Sequence, residues 1–252
     1  MLDPNDPAYL QLFADGPWQL RKRIVRNKDL LVFDNLINRK PVILDIGANK
    51  GQSIASFLGV FPEAIIHAFE CHPALHPVLR NMKEVCAEEC RNVTIYEFAL
   101  GAEDGSLRFV TPIVDGKVYF EETTCKPETE FEKHKARHLA YGKEFSVHEF
   151  SVKVCKGDDL HIDSDIIKID TEGSEPDVIR GLFNSIKKNL PPIYSETSSY
   201  REVTDLLVSI GYKPFMPDDE KRIVPLSRGR GDVIYIHPSS YALFKDGSLL
   251  TS

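Results

Sequence analysis

An aspartate, two glycines and an asparagine at the spacing Asp45-x-Gly47-x-Asn49-x-Gly51 close the apolar run Val42 to Ile46, and together they make a candidate cofactor site. Glycines directly after a buried strand let a ligand approach the backbone closely. Asn49 suits the middle position because asparagine is among the few residues that tolerate left-handed backbone. A second apolar run, Ala64 to Phe69, ends in Glu70. An acid about 20 residues beyond a glycine loop sits at the tip of the neighbouring strand, where it accepts hydrogen bonds from ribose hydroxyls. A dinucleotide fingerprint starting at Gly47 would need glycines at 49 and 52, where Asn49 and Gln52 stand, and no Gly-Lys-Ser/Thr phosphate loop is present. Further along, Lys168, Asp170, Glu172, Glu175 and Glu196 cluster around two more strand ends. Carboxylates so placed are suited to take or give a proton.

The elements that position these groups alternate along the chain. Val42 to Asp45 reads as a strand buried on both faces, and Gln52 to Phe61 as a helix with Ile54, Phe57, Leu58 and Phe61 at helical spacing. Ala64 to Phe69 is the second strand, Pro73 to Glu89 a helix and Val93 to Phe98 the third strand, with Ala99-Leu100-Gly101 ending it. Ser106 to Val110 is a short strand, and from Pro112 to Phe150 the pattern is lost, apart from a helix between Pro127 and Tyr141. Asp165 to Asp170 is the fourth strand, followed by one helix through Leu190. Ile193 to Glu196, Tyr212 to Met216 and Asp232 to His237 complete the strands, with a helix over Arg201 to Gly211. Such alternation implies βαβ units and a parallel sheet. Ligands of such sheets bind outside the carboxyl ends of the strands, which is where Asp45, Glu70, Ala99, Asp170 and Glu196 fall.

With 252 residues, 42% hydrophobic, the chain is expected to form one domain over 1–252, with an N-terminal helical segment at 1–40 and an insert at 112–150 acting as a substrate lid. A formal net charge of -7 argues against nucleic acid as a partner. No apolar run approaches the ~20 residues of a membrane span and the start carries no signal-peptide pattern, so the expected setting is soluble and cytoplasmic. Five cysteines without Cys-x-x-Cys fit reduced thiols, with Cys86 and Cys90 on one helix face as packing residues.

The pattern Asp-x-Gly-x-Asn-x-Gly resembles the first motif of S-adenosylmethionine (SAM)-dependent methyltransferases. The ordered set VILDIGANKGQS, IIHAFECHP, NVTIYEFALGAEDGSLRF, IIKIDTEGSEPDVIRGL and PPIYSE is similar to the FkbM family of those enzymes, and IIKIDTEGSE is its most specific element. The resemblance implies an α/β, Rossmann-like class I methyltransferase fold: a seven-stranded, mostly parallel sheet of order 3-2-1-4-5-7-6, strand seven antiparallel, helices on both faces. It also implies O-methylation of hydroxyls on small molecules or sugars. An acid-rich rim agrees, because it repels a pyrophosphate but suits a ligand carrying an ammonium and a sulfonium. On this reading Gly47, Asn49 and Gly51 shape the loop under the methionine part, Asp45 lies near its amino group, Glu70 holds the ribose, and Ala99 and Leu100 flank adenine.

Transfer to an alcohol needs the oxygen in line with the methyl–sulfur bond and a base for its proton. Asp170, Glu172, Glu175 and Glu196 are the candidates; Asp170 and Glu172 are preferred, with Lys168 orienting a carboxylate or a substrate oxygen. The same acids could cradle a divalent cation, an option that ranks second to a metal-free site. His134 and His138 have zinc-pair spacing but no third ligand, and His148 is an outside candidate base. The basic groups Arg21, Lys22, Arg23, Arg26 and Lys28, and Arg228 with Arg230, read either as solvated faces or as receivers of an anionic, nucleotide-linked or phosphorylated sugar. The alternative readings are an NAD-dependent oxidoreductase and a SAM-binding relative without turnover.

Overall fold

The strand Val42–Ile46 (β1) shows why the sheet is buried on both faces: Ile43 packs into one apolar cluster with Ile54, Phe57 and Phe33, while Leu44 and Ile46 pack into another with Ile167, Ile169 and Val178. A run with no polar face other than Asp45 can only sit between two layers. The computed structural model describes residues 7–25, 27–126, 132–196, 200–226 and 232–250. The elements are α1 (Pro7–Arg21), β1, α2 (Gln52–Val60), β2 (Ile65–Phe69), α3 (His76–Val85), β3 (Val93–Tyr96), β4 (Ala99–Gly101), β5 (Gly105–Val114), β6 (Lys117–Val118), α4 (Glu132–Ala140) and β7 (Phe145–Lys156). They continue with β8 (Ile166–Ile169), α5 (Glu175–Gly181), α6 (Phe183–Asn189), β9 (Ile193–Ser195), α7 (Tyr200–Val208), β10 (Lys213–Pro217), β11 (Ile223–Pro225) and β12 (Val233–Ile236).

The main sheet has the order β11-β10-β12-β9-β8-β1-β2-β3. Its pairs β2–β3, β1–β2, β1–β8 and β8–β9 are parallel, whereas β12 is antiparallel to both β9 and β10. The expected order 3-2-1-4-5-7-6 is therefore present, with β12 as the reversed seventh strand and the short β11 added at the edge. α2, α3 and the 3-10 helix Lys28–Asn35 of the N-terminal segment cover one face; α5, α6 and α7 cover the other. No helix among the described residues is long and apolar enough to cross a membrane.

Three expectations need correction. Ala99-Leu100-Gly101 does not end the third strand, which stops at Tyr96; it forms β4, paired in parallel with β7 in a second sheet of order β4-β7-β5-β6. The stretch 112–150 is not irregular throughout, because β5 and β7 run antiparallel from Gly105↔Val154 to Val114↔Phe145. The inward row of β7 is His148, Phe150, Val152 and Val154, while Val147 faces outward at 37% exposure. A histidine in the buried row and a valine in the open one break the period-2 alternation by which strands are read. Third, the single helix through Leu190 is two, meeting at Leu182. Gly181 is the last residue of the first, and it is glycine because α5 lies so near β4 that a Cβ there would stand 1.9 Å from the Gly101 carbonyl oxygen.

Candidate functional site

The loop from β1 into α2 has left-handed backbone at all three expected positions, with φ of +80° at Gly47, +49° at Asn49 and +86° at Gly51. At Gly47 glycine is obligatory on a second count: a Cβ would lie 1.8 Å from the Asp170 carbonyl oxygen. The loop is tied to the next strand by Gly47 N–H and Ala48 N–H, both donating to Phe69 O at 3.0 Å. Glu70 completes the joint. Its Oε2 accepts from Asn49 N–H at 2.8 Å and its Oε1 from His72 N–H at 2.6 Å. Burial pushes its carboxyl pKa up, and these two amides oppose the shift. Each oxygen keeps lone-pair capacity for a further donor.

Above this loop lies a cavity of about 390 Å³, lined at one end by Phe98, Ala99, Leu100 and Phe109 and at the other by Lys168, Asp170 and Glu172. Gly47, Asn49, Glu70, Ala99, Leu100, Lys168, Asp170 and Glu172 line it, whereas Gly51 and Glu196, also expected at the site, do not. Asp45 is not among its lining residues. Parallel register sets Asp45 directly opposite Lys168. There it is 0% exposed, accepting from Ser53 Oγ at 2.6 Å and lying 3.3 Å from Lys168 Nζ. Ser53 and Lys168 stand between it and the cavity, so Asp45 acts through them. Lys168 is 3% exposed; its Nζ donates to Gly47 O at 2.6 Å and pairs with Asp170 at 3.4 Å. Burial works against its charge, but Asp170 and Asp45 outweigh burial and hold its pKa above the ordinary lysine value.

Glu175, one of the four candidate acids, is fully buried. Its Oε1 accepts from Thr171 N–H, Thr171 Oγ1 and Gly173 N–H at 3.0, 3.1 and 3.0 Å, which shapes the loop rather than serving a ligand. That loop presents Asp170, with 44% of its side chain exposed, and Glu172, whose own φ is +52°. Oxygens of Asp170, Glu172 and Glu196 lie within 4.8 Å of one another; among the described residues they are the one such group that could take up a divalent cation. Burial first, then Asp170, Glu172 and Glu175, push Glu196 up to about 9, so it carries a proton at neutral pH and is no base.

Stability depends on pH with a definite sign here. A carboxyl raised from 4.5 to about 9 holds a proton in the fold that the unfolded chain releases, so stability falls as pH rises through that window. The melting temperature of Glu196→Gln, which keeps a neutral side chain, is expected to fall less across it than that of the parent. Equal slopes would contradict the assignment.

Of the remaining expectations, His148 does not line the cavity but stacks near Phe150 and His72. His138 contacts Glu122 at 3.3 Å; the side chain of His134 lies outside the described residues, as do Arg26, Arg228 and Arg230. Arg21 donates to Val85 O, away from the cavity, which Lys22, Arg23 and Lys28 do not line either. Cys86 and Cys90 pack in the core, as expected, but from the turn after α3, which ends at Val85, rather than from one helix face. The sequence reading passed over His72, Phe109, Phe120, Thr123 and Asn27, all of which line the cavity. Of these, His72 and Phe109 lie inside the stretches IIHAFECHP and NVTIYEFALGAEDGSLRF, while Asn27, Phe120 and Thr123 lie in no motif.

The sequence model of the methyltransferase FkbM domain matches residues 45–214. "Methyltransferase 1" of Beauveria bassiana (strain ARSEF 2860) is 28% identical over 149 residues, which cover 56% of this chain and 57% of that protein. Among solved structures, methyltransferase FkbM from Methylobacillus flagellatus KT is similar in fold, with a TM-score of 0.53 at 15% identity, covering 92% of this chain and 59% of that one. The chain thus spans less than two thirds of the length of either relative.

Proposed function

The chain belongs to the FkbM methyltransferase family, and from that premise we propose that it transfers a methyl group from SAM to a hydroxyl of a small molecule or sugar. The observation that carries this reading is Glu70, fixed by two backbone amides at the cavity wall with its remaining lone pairs free for a ribose diol. The loop beside it fits the rest of the donor. Asn49 lines the cavity, and its Oδ1 is buried without a hydrogen-bond partner; an α-ammonium group supplies the donor that this atom lacks. Bound SAM would bring an electrophilic methyl group on sulfur.

The chain's own residues do the remainder. Ala99 and Leu100, with Phe98, offer adenine an apolar part of the wall. Asp170, held by Lys168, takes the hydroxyl proton as the new carbon–oxygen bond forms, with Glu172 beside it. Keeping these carboxylates on the acceptor rather than against sulfur avoids favouring the ground state, since the sulfonium charge fades as the methyl leaves. The described wall includes Glu70, Glu121, Asp170, Glu172 and Asp177, which favours an uncharged acceptor over a phosphorylated one. Five unpaired thiols support a cytoplasmic setting.

Incubation with methyl-labelled SAM and a panel of hexose glycosides, polyols and phenols, followed by mass analysis, tests this. The expected product is an O-methyl ether. Transfer to nitrogen, or no transfer by a chain that binds SAM, would overturn the reading.

A further inference from the structure

Behind the cavity wall runs a short hydrogen-bond chain whose polarity is fixed at its inner end. Ala74 N–H donates to His72 Nδ1 at 3.1 Å, so the ring proton sits on Nε2. His72 Nε2 then donates to Thr111 Oγ1 at 3.1 Å. Thr111 is completely buried, and its hydroxyl has one acceptor left among the described residues, Thr123 Oγ1 at 2.9 Å. Thr123 lines the cavity, and with its oxygen accepting from Thr111 its own hydroxyl proton is left without an acceptor among the described residues. Burial holds the His72 pKa down to about 3, with His148 and His76 adding to the shift, so the ring stays neutral and the direction of the chain does not reverse at working pH.

The place of Thr123 says which ligand it meets. The segment 120–126 crosses from the cofactor loop to the loop after β8. It is pinned at one end by the Lys50–Glu121 ion pair and at the other by Thr124 Oγ1 donating to Glu172 O at 2.9 Å and by Cys125 Sγ against Ser174 Oγ at 3.0 Å. Thr123 therefore stands between Glu121 and the loop that carries Asp170 and Glu172.

We propose that Thr123 is a specificity-determining residue, whose hydroxyl is made an obligatory donor by the His72–Thr111 chain and hydrogen-bonds a lone-pair oxygen of the methyl acceptor. This rests on the proposed methyl transfer. It selects acceptors that carry a hydroxyl, ether or carbonyl oxygen beside the methylated hydroxyl, and rejects those with an ammonium group there, which would set donor against donor.

The test compares Thr123→Val and Thr123→Ser with the parent, using as probe whichever glycoside, polyol or phenol of the panel is methylated fastest. Thr123→Val is expected to raise the acceptor KM about tenfold, the loss of one hydrogen bond to a group left unpaired. Its SAM affinity should stay within about twofold, and Thr123→Ser should restore the KM. An unchanged KM in Thr123→Val, or a SAM affinity that falls with it, would overturn the inference while leaving the methyl-transfer reading intact. No transfer by the parent to any panel member would sink that reading, and this inference with it.

Discussion

Lys168→Met is expected to destabilise the protein by about 3–5 kcal/mol, the cost of leaving a buried charge without its partner. Lys168 is the only cation within 4 Å of Asp45 among the described residues, and Asp45 has no solvent contact. Methionine fills a similar volume, so the loss is electrostatic rather than a cavity. The same change frees Gly47 O and Asp170, both bonded to Nζ, and so loosens the cofactor loop and the proposed base together. Denaturant unfolding would show a lower midpoint with little change in slope. Adding Asp45→Asn to Lys168→Met should recover part of the loss, because the orphaned charge is then gone. A single-mutant change below about 1 kcal/mol would mean that Asp45 and Lys168 are not coupled as described.

Asp170→Asn should lower turnover by about 10²–10⁴-fold, the usual contribution of a positioned base, with SAM affinity changed only a few-fold. Asparagine keeps the size and the hydrogen-bonding edge but cannot accept the proton. Glu172→Gln should cost less, since Asp170 is the carboxylate that Lys168 pairs with and orients. Initial-rate kinetics beside calorimetry separate the two effects. Full turnover in both variants with intact SAM binding would remove these carboxylates from the chemistry.

The cofactor loop was legible because its signals are local. Gly47, Asn49 and Gly51 each occupy left-handed backbone, a demand that a residue type announces by itself. Glu70 was legible for a related reason, since one βαβ unit fixes how far an acid at the next strand tip lies from the glycine loop. The position of Asp45 was not, because strand order alone does not reveal that parallel register sets it opposite Lys168 and under Ser53. Glu196 read as a candidate base from its place at a strand end; its burial first, and then the crowding of Asp170, Glu172 and Glu175 around it, turn it into an acid that keeps its proton. The second sheet stayed hidden because the inward row of β7 holds His148 and its outward row Val147, which breaks the alternation by which a strand is read. His72, Thr111 and Thr123 belong to separate elements, and only the pairing of β5 with β7 and the return of segment 120–126 bring them into one chain.

Calorimetric titration of SAM and of NAD into the protein and into Glu70→Ala puts the central claim, a SAM site at the carboxyl rim of the main sheet, to its most direct test. SAM is predicted to bind the parent at one site, NAD to give no heat, and Glu70→Ala to bind SAM at least about tenfold more weakly. Binding of NAD in place of SAM, or SAM affinity untouched by the loss of Glu70, would contradict it.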